Sequence, residues 1–265
     1  MKTPLHHISL YDDPDSQGLD ADYLARWLAA QFPQTQVEVR SDYLTYQLAR
    51  FPDDQREALV DELCGQLAGA EVHDLVRPQD RAKLPPLPPE ERGLDVVYEA
   101  VALQAILQLL MDPEEAKHSH LHVMFTANYL GTWGASEPHL RLRAAVLGTL
   151  NIISTSGLVE ALELPRQYHF MRQQLAVLGI EEDVDQVFAD RTLGYGDPRL
   201  NEVCKGYLMQ AVFYRLTGDT GCDDPACRLH LHSTHDAALR TQVLGRPGLC
   251  PKHKQELVAV GAHPE

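Results

Sequence analysis

Positive charge is scarce in this chain of 265 residues: Lys and Arg number 23 against 38 Asp and Glu, a formal net charge of −15. No run of Lys and Arg exceeds two residues. A surface this acidic repels phosphate backbones and anionic headgroups, which argues against nucleic acid and membrane as partners. Long apolar runs are missing too. The apolar stretch Ala100–Met111 spans 12 residues and contains Gln104 and Gln108, short of the ~20 that a membrane-spanning helix needs. Met1–Tyr11 holds no apolar run of signal-peptide length, so the expected location is the cytoplasm. Cysteine is sparse, with five residues at 64, 204, 222, 227 and 250. An odd count without a secretory leader argues against a disulfide framework. Neither G-x-x-x-x-G-K-[ST] nor a helix-opening G-x-G-x-x-G occurs, so nucleotide binding has no motif behind it.

What is present reads as an α/β chain. Leu5–Tyr11 has strand character, Asp20 or Asp22 can cap a helix presenting Tyr23, Leu24, Trp27, Leu28 and Gln31, and Gln36–Arg40 alternates around Val37 and Val39. A β-α-β opening implies helices packed on a sheet. Further helices are expected over Asp54–Leu67, Leu94–Leu110, Tyr168–Leu178 and Asp183–Ala189. Strands are expected over Leu121–Thr126 and Ala145–Ser154. Five prolines between 78 and 89 mark a proline-rich surface loop at 77–93. The longest periodic helix covers 199–216, with Leu200, Val203, Cys204, Tyr207, Leu208, Ala211, Val212 and Leu216 at i, i+3, i+4, i+7 spacing and Gly218 as its stop. Ile153–Gly157 lacks the G-x-S-x-G elbow and reads as a plain turn.

The chemistry gathers near the C-terminal end. Cys222–Cys227 is a C-x4-C loop around Pro225, and Cys250-Pro251-Lys252-His253 is C-x2-H, 22 residues on. Two short loops carrying two donors each are what a tetrahedral zinc requires. Three thiolates and an imidazole leave no open coordination position, so such a zinc would be structural. It would fasten segment 222–253 to the end of the 199–216 helix. Buried thiols with a surface His are the plainer alternative, and His230, His232 or His235 could take the place of His253 as fourth ligand. A second candidate is His118-Ser119-His120-Leu121-His122. On a strand these three His share one face, opposite Leu121, Val123 and Phe125. They could hold a second metal or simply line a solvated face.

A C-x4-C followed by a second short pair after a long helix resembles the structural zinc site of archaemetzincins, with His253 where that family has Cys. Leu130–Trp133, Asn151–Ala161, Glu202–Tyr214 and Cys227-Arg228-Leu229 resemble, more specifically, an uncharacterised and largely archaeal family of metallopeptidase type, over roughly residues 90–255. The resemblance implies a metzincin-like scaffold and a metallopeptidase ancestry. Metzincins bind catalytic zinc through H-E-x-x-H on the helix entering the zinc loop. Here that helix has no His, the equivalent positions fall on Ala211–Arg215, and H-E-x-x-H occurs nowhere in the chain. Only the positions Cys222, Cys227, Cys250 and, by substitution, His253 carry over. The expectation is a single α/β domain over 1–265, with a mixed sheet, packed helices and a C-terminal zinc-binding loop. Its function is metallopeptidase-like with a structural zinc and no classical catalytic motif. The alternative is a non-catalytic zinc-stabilised scaffold for a peptide or protein partner. Glu202, Lys205, Tyr207 and Arg228 are further polar candidates without an assigned role.

Overall fold

A computed structural model of the chain describes residues 4–72, 96–134, 139–177, 179 and 183–264. The proline-rich segment 77–93 lies outside them. Strand β1 (His7–Tyr11) leads into helix α1 (Ala21–Gln31) and strand β2 (Gln36–Arg40). Asp20 caps α1 by accepting the Tyr23 amide at 2.7 Å. After α2 (Tyr43–Leu48) and α3 (Asp53–Ala70) come β3 (Glu71–Val72), β4 (Val97–Glu99) and α4 (Ala100–Gln108). Strands β5 (His120–Thr126), β6 (Tyr129–Trp133), β7 (Leu140–Arg143), β8 (Ala145–Val146) and β9 (Leu150–Ser154) follow, then α5 (Thr155–Glu160), α6 (Arg166–Ala176) and α7 (Asp183–Val187). Helix α8 (Leu200–Thr217) precedes α9 (His235–Leu239), a π-helical turn (Arg240–Leu244) and α10 (Pro251–Val258).

The strands form two mixed sheets rather than the one expected. The larger has the order β2-β1-β5-β9-β8, with β2, β1, β5 and β9 parallel and β8 antiparallel at the edge. The smaller runs β3-β4-β6-β7. Parallel strands covered on both faces should bury residues of either parity, and they do. Ile8, Leu10, Leu121, Val123, Phe125 and Ile153 face the core built with α1 and α8. Tyr11, Leu150 and Ile152 face a second core, packed with residues of α2, α3 and α4.

Three sequence expectations about the elements change. The helix expected over 94–110 begins only at Ala100, because Val97–Glu99 pair with Tyr129–Gly131 as a strand; Glu99 then caps the helix, accepting the Ala102 amide at 2.7 Å. The strand expected over 145–154 is broken into β8 and β9. Gly148 lies against the Gln104 side-chain amide, and its own amide donates to Asn151 Oδ1 at 3.2 Å, so the chain turns there. Ile153–Gly157 is likewise a strand-to-helix junction, not an isolated turn: Ser154 Oγ accepts the Gly157 amide at 2.8 Å and caps α5.

Helix α8 is apolar on nearly every side and buried accordingly, from Leu200 to Leu216. Gly218 ends it in the left-handed region, φ 78°, which a side chain would disfavour. The chain leaving this cap is therefore aimed at a fixed place: the candidate metal loop.

Candidate metal centre

Two backbone devices shape the first ligand loop. Asp224 Oδ1 accepts the Ala226 amide at 2.9 Å, an Asx turn, and the Cys227 amide donates to Asp224 O at 3.0 Å. The loop doubles back around Pro225, leaving Cys222 half-buried and Cys227 buried at 1% exposure. The second pair rides on a helix start that the sequence reading missed. Cys250 is the N-cap of α10 and Pro251 its first residue, where a missing amide hydrogen is harmless. One turn into α10, His253 points inward, its ring edge-on to Phe213 of α8 with centroids 5.0 Å apart. Pro251 directly after Cys250 was the signal for this helix.

The two pairs converge. Ligand atoms of Cys222, Cys227, Cys250 and His253 all lie within 4.8 Å of one another. Cys222 Sγ is 3.9 Å from Cys250 Sγ, and His253 Nδ1 is 3.7 Å from Cys227 Sγ and 3.1 Å from Cys250 Sγ. Four donors at metal–sulfur bonds of ~2.3 Å and tetrahedral angles would stand about 3.8 Å apart. The Cys222–Cys250 and Cys227–His253 edges fit that figure, and the Cys250–His253 edge is tighter. The thiols suit a soft or borderline ion and would be poor ligands for magnesium or calcium. Burial pushes the thiols of Cys222 and Cys227 up, that of Cys227 to about 12. A cation is therefore what would hold them as thiolates at neutral pH, with release of protons on binding.

Around the ligands sits a scaffold of polar contacts. The Arg228 amide donates to Gly248 O at 2.9 Å and so ties the first ligand loop to the approach of the second. The Arg228 side chain, 4% exposed, donates to Gln242 Oε1 at 3.0 Å, and Gln242 Nε2 donates back to Arg228 O at 3.0 Å. This exchange places Gln242, from the π-helical turn, against Gly206 of α8, where an added Cβ would meet its amide at 2.7 Å. Arg228 also reaches Glu202 at 3.8 Å. Lys205 Nζ donates to Glu202 Oε1 and to Tyr23 Oη, both at 2.7 Å, and Tyr23 donates to the same carboxylate oxygen at 2.5 Å. Burial pushes the Glu202 carboxyl up, but the hydrogen bonds from Lys205 and Tyr23 outweigh it and hold the group below the usual carboxylate range. Three of the four unassigned polar candidates thus form one network beside the metal loop, with Lys205 and Arg228 buried and Glu202 half-buried. Tyr207 packs instead against the core.

The remaining histidines go elsewhere. His230 Nδ1 sits 2.8 Å from the Cys222 carbonyl oxygen, and His235 Nδ1 accepts the Leu193 amide at 2.9 Å. Within the convergent set the imidazole is that of His253. His120 and His122 do share a face of β5, but it is not a solvated face. His122 is fully buried, with Nδ1 3.0 Å from Tyr11 Oη and Nε2 3.0 Å from Glu115 O. Burial lowers its pKa below the ordinary histidine value. The His120 ring lies beside that of His7, centroids 4.4 Å apart and planes tilted by 38°, and His118 precedes the strand. Among the described residues this row gathers no group of three metal-ligand side chains. Nor does any helix among them have the length and apolarity to cross a membrane.

A family model described as "Probable metallopeptidase family (DUF6775)" matches residues 4–260. No curated protein and no solved structure matches the chain.

Proposed function

Since the chain belongs to this probable metallopeptidase family, we propose that it is a metallopeptidase-type scaffold in which Cys222, Cys227, Cys250 and His253 hold a structural zinc, and that it binds a peptide or protein partner without H-E-x-x-H hydrolysis. The observation that carries this reading is the closed donor set. Four protein ligands fill a tetrahedral ion, so no position is left for water or substrate. The His-free helix α8 enters that loop where a metzincin would carry its catalytic ligands. Zinc bound here would supply folding energy by joining α10 to the end of α8.

Charge supports the assignment. A dication with three thiolates and a neutral imidazole leaves one negative charge in excess. The Arg228 and Lys205 cations against the single Glu202 carboxylate leave one positive charge beside it. The loaded centre and the network beneath it are neutral together, which keeps the burial of both tolerable.

The cytoplasm remains the proposed location. Metal analysis of the purified protein after exhaustive dialysis tests the reading: one tightly held zinc per chain, lost in Cys222→Ser, is expected. Peptide hydrolysis that requires metal and disappears in His120→Ala would overturn the non-catalytic assignment.

A further inference from the structure

His230 and His232 are left over from the closed centre. Both ring nitrogens of His232 are shielded from solvent and lack a hydrogen-bond partner, which holds for no other side chain among the described residues. A neutral imidazole carries one N–H and one bare lone pair, so both needs are unmet. Burial, and secondarily the neighbouring His230, holds the pKa of His232 down at about 4, so its lone pair is available at neutral pH. His230 is oriented by its contact with the Cys222 carbonyl: Nδ1 donates there, and Nε2 keeps its lone pair. Metal-ligating imidazoles are held by this kind of outer hydrogen bond.

The spacing of the rings agrees. An imidazole nitrogen ~2.0–2.1 Å from a metal puts the ring centre about 3.2 Å from it, so two rings at the tetrahedral angle have centres about 5.2 Å apart. The His230 and His232 centroids are 5.1 Å apart, with planes tilted by 60°. The pair flanks a cleft of about 530 Å³ that also touches Thr234, Asp236 and Arg240. Asp236 is engaged by Arg191 and Arg240, so it does not complete a carboxylate-rich site for magnesium or calcium.

We propose that His230 and His232 form a second metal site, separate from the Cys222–Cys227–Cys250–His253 centre, that takes a borderline transition-metal ion of the zinc, nickel or cobalt type. Two imidazoles supply the protein ligands. With only two protein ligands, against four in the closed centre, this ion is held less tightly and exchanges with added metal.

The test is titration of the full-length, zinc-containing protein with Ni²⁺, followed by calorimetry and by NMR of the histidine rings. One equivalent of nickel should bind, with paramagnetic broadening strongest at the His230 and His232 ring signals. His232→Ala should weaken binding by about tenfold or more and leave the original zinc content intact. His230→Gln, whose amide can still donate to the Cys222 carbonyl, should weaken it likewise. Far-ultraviolet circular dichroism checks that each variant is folded, and His232→Asn replaces His232→Ala if that one is not. No nickel binding up to millimolar concentration, undiminished binding in both variants, or broadening at His118 and His120 instead would overturn the proposal.

Discussion

If the four-ligand centre fastens the end of the chain to the core, Cys250→Ser should destabilise the protein only while metal is present. The residues the centre secures are substantial. Cys227, Leu229, Leu239, Leu249 and Leu257 are all buried in the core shared with α8 and the large sheet. A metal present at ~1,000 times its dissociation constant adds about 4 kcal/mol to folding stability. For a chain of this size each kcal/mol moves the melting temperature by about 2–4 °C, so removal of the ion should lower it by roughly 8–16 °C. The assay is a thermal melt of wild type and Cys250→Ser, each with zinc and with excess chelator. With zinc the variant should melt well below wild type; with chelator the two should agree within about 0.5 kcal/mol, because Ser and Cys differ little once no ion is held. An equal deficit in both conditions would make Cys250 a packing residue. An unchanged melt after verified metal removal would refute the fastening outright.

Three further outcomes follow from the same geometry. Phe213→Ala removes a ring that is 2% exposed and edge-on to His253; it should cost about 3–5 kcal/mol in urea unfolding, and a loss under 1 kcal/mol would mean the neighbourhood collapses freely. Gly206→Ala pushes a methyl into the Gln242 amide, which Arg228 holds at both its donor and its acceptor; a loss of about 1–3 kcal/mol together with weaker zinc retention is expected, and a stabilised variant would contradict the close packing. His122 has a folded-state pKa lowered by burial, so its contribution is fully present above the unfolded histidine value of ~6.5 and is lost as pH falls from there toward the folded value. In thermal melts between pH 7.5 and 5, His122→Gln at fixed metal content should therefore show a shallower loss of stability than wild type, by up to about 1.4 kcal/mol per pH unit; parallel curves would exclude His122 as a contributor.

Where local chemistry decides the structure, the sequence was readable. Val37 and Val39 in β2, the apolar spacing along α8 and Gly218 at its end each act through near neighbours and stand where the pattern placed them, and of the two cap candidates, Asp20 and Asp22, it is Asp20 that caps α1. The C-x4-C and C-x2-H pairs were visible because each is a short loop, and the structure brings them together. Partnership between distant strands was not readable. Val97–Glu99 look helical in isolation and become a strand only because Tyr129–Gly131 lie alongside. The His118–His122 row shows the same limit from the other side: alternation put His120 and His122 on one face, but only tertiary packing reveals that the face is covered and that His122 is bonded to Tyr11 and Glu115. The Arg228–Gln242–Glu202 contacts depend on a π-helical turn that no simple periodicity announces.

The pairing of β1 with β5 sets a timetable for synthesis. His7 lies opposite His120, so while β2 can join β1 early, the other edge of β1 stays open until 113 more residues have been made. At ribosomal rates of about 5–20 residues per second that interval is roughly 6–23 s. The candidate ligands at 222–253 emerge later still, so every strand of the sheet is available to pair before an ion can clasp the chain. A starved zinc pool would then leave a nearly finished molecule with a loose end, rather than an unfolded one.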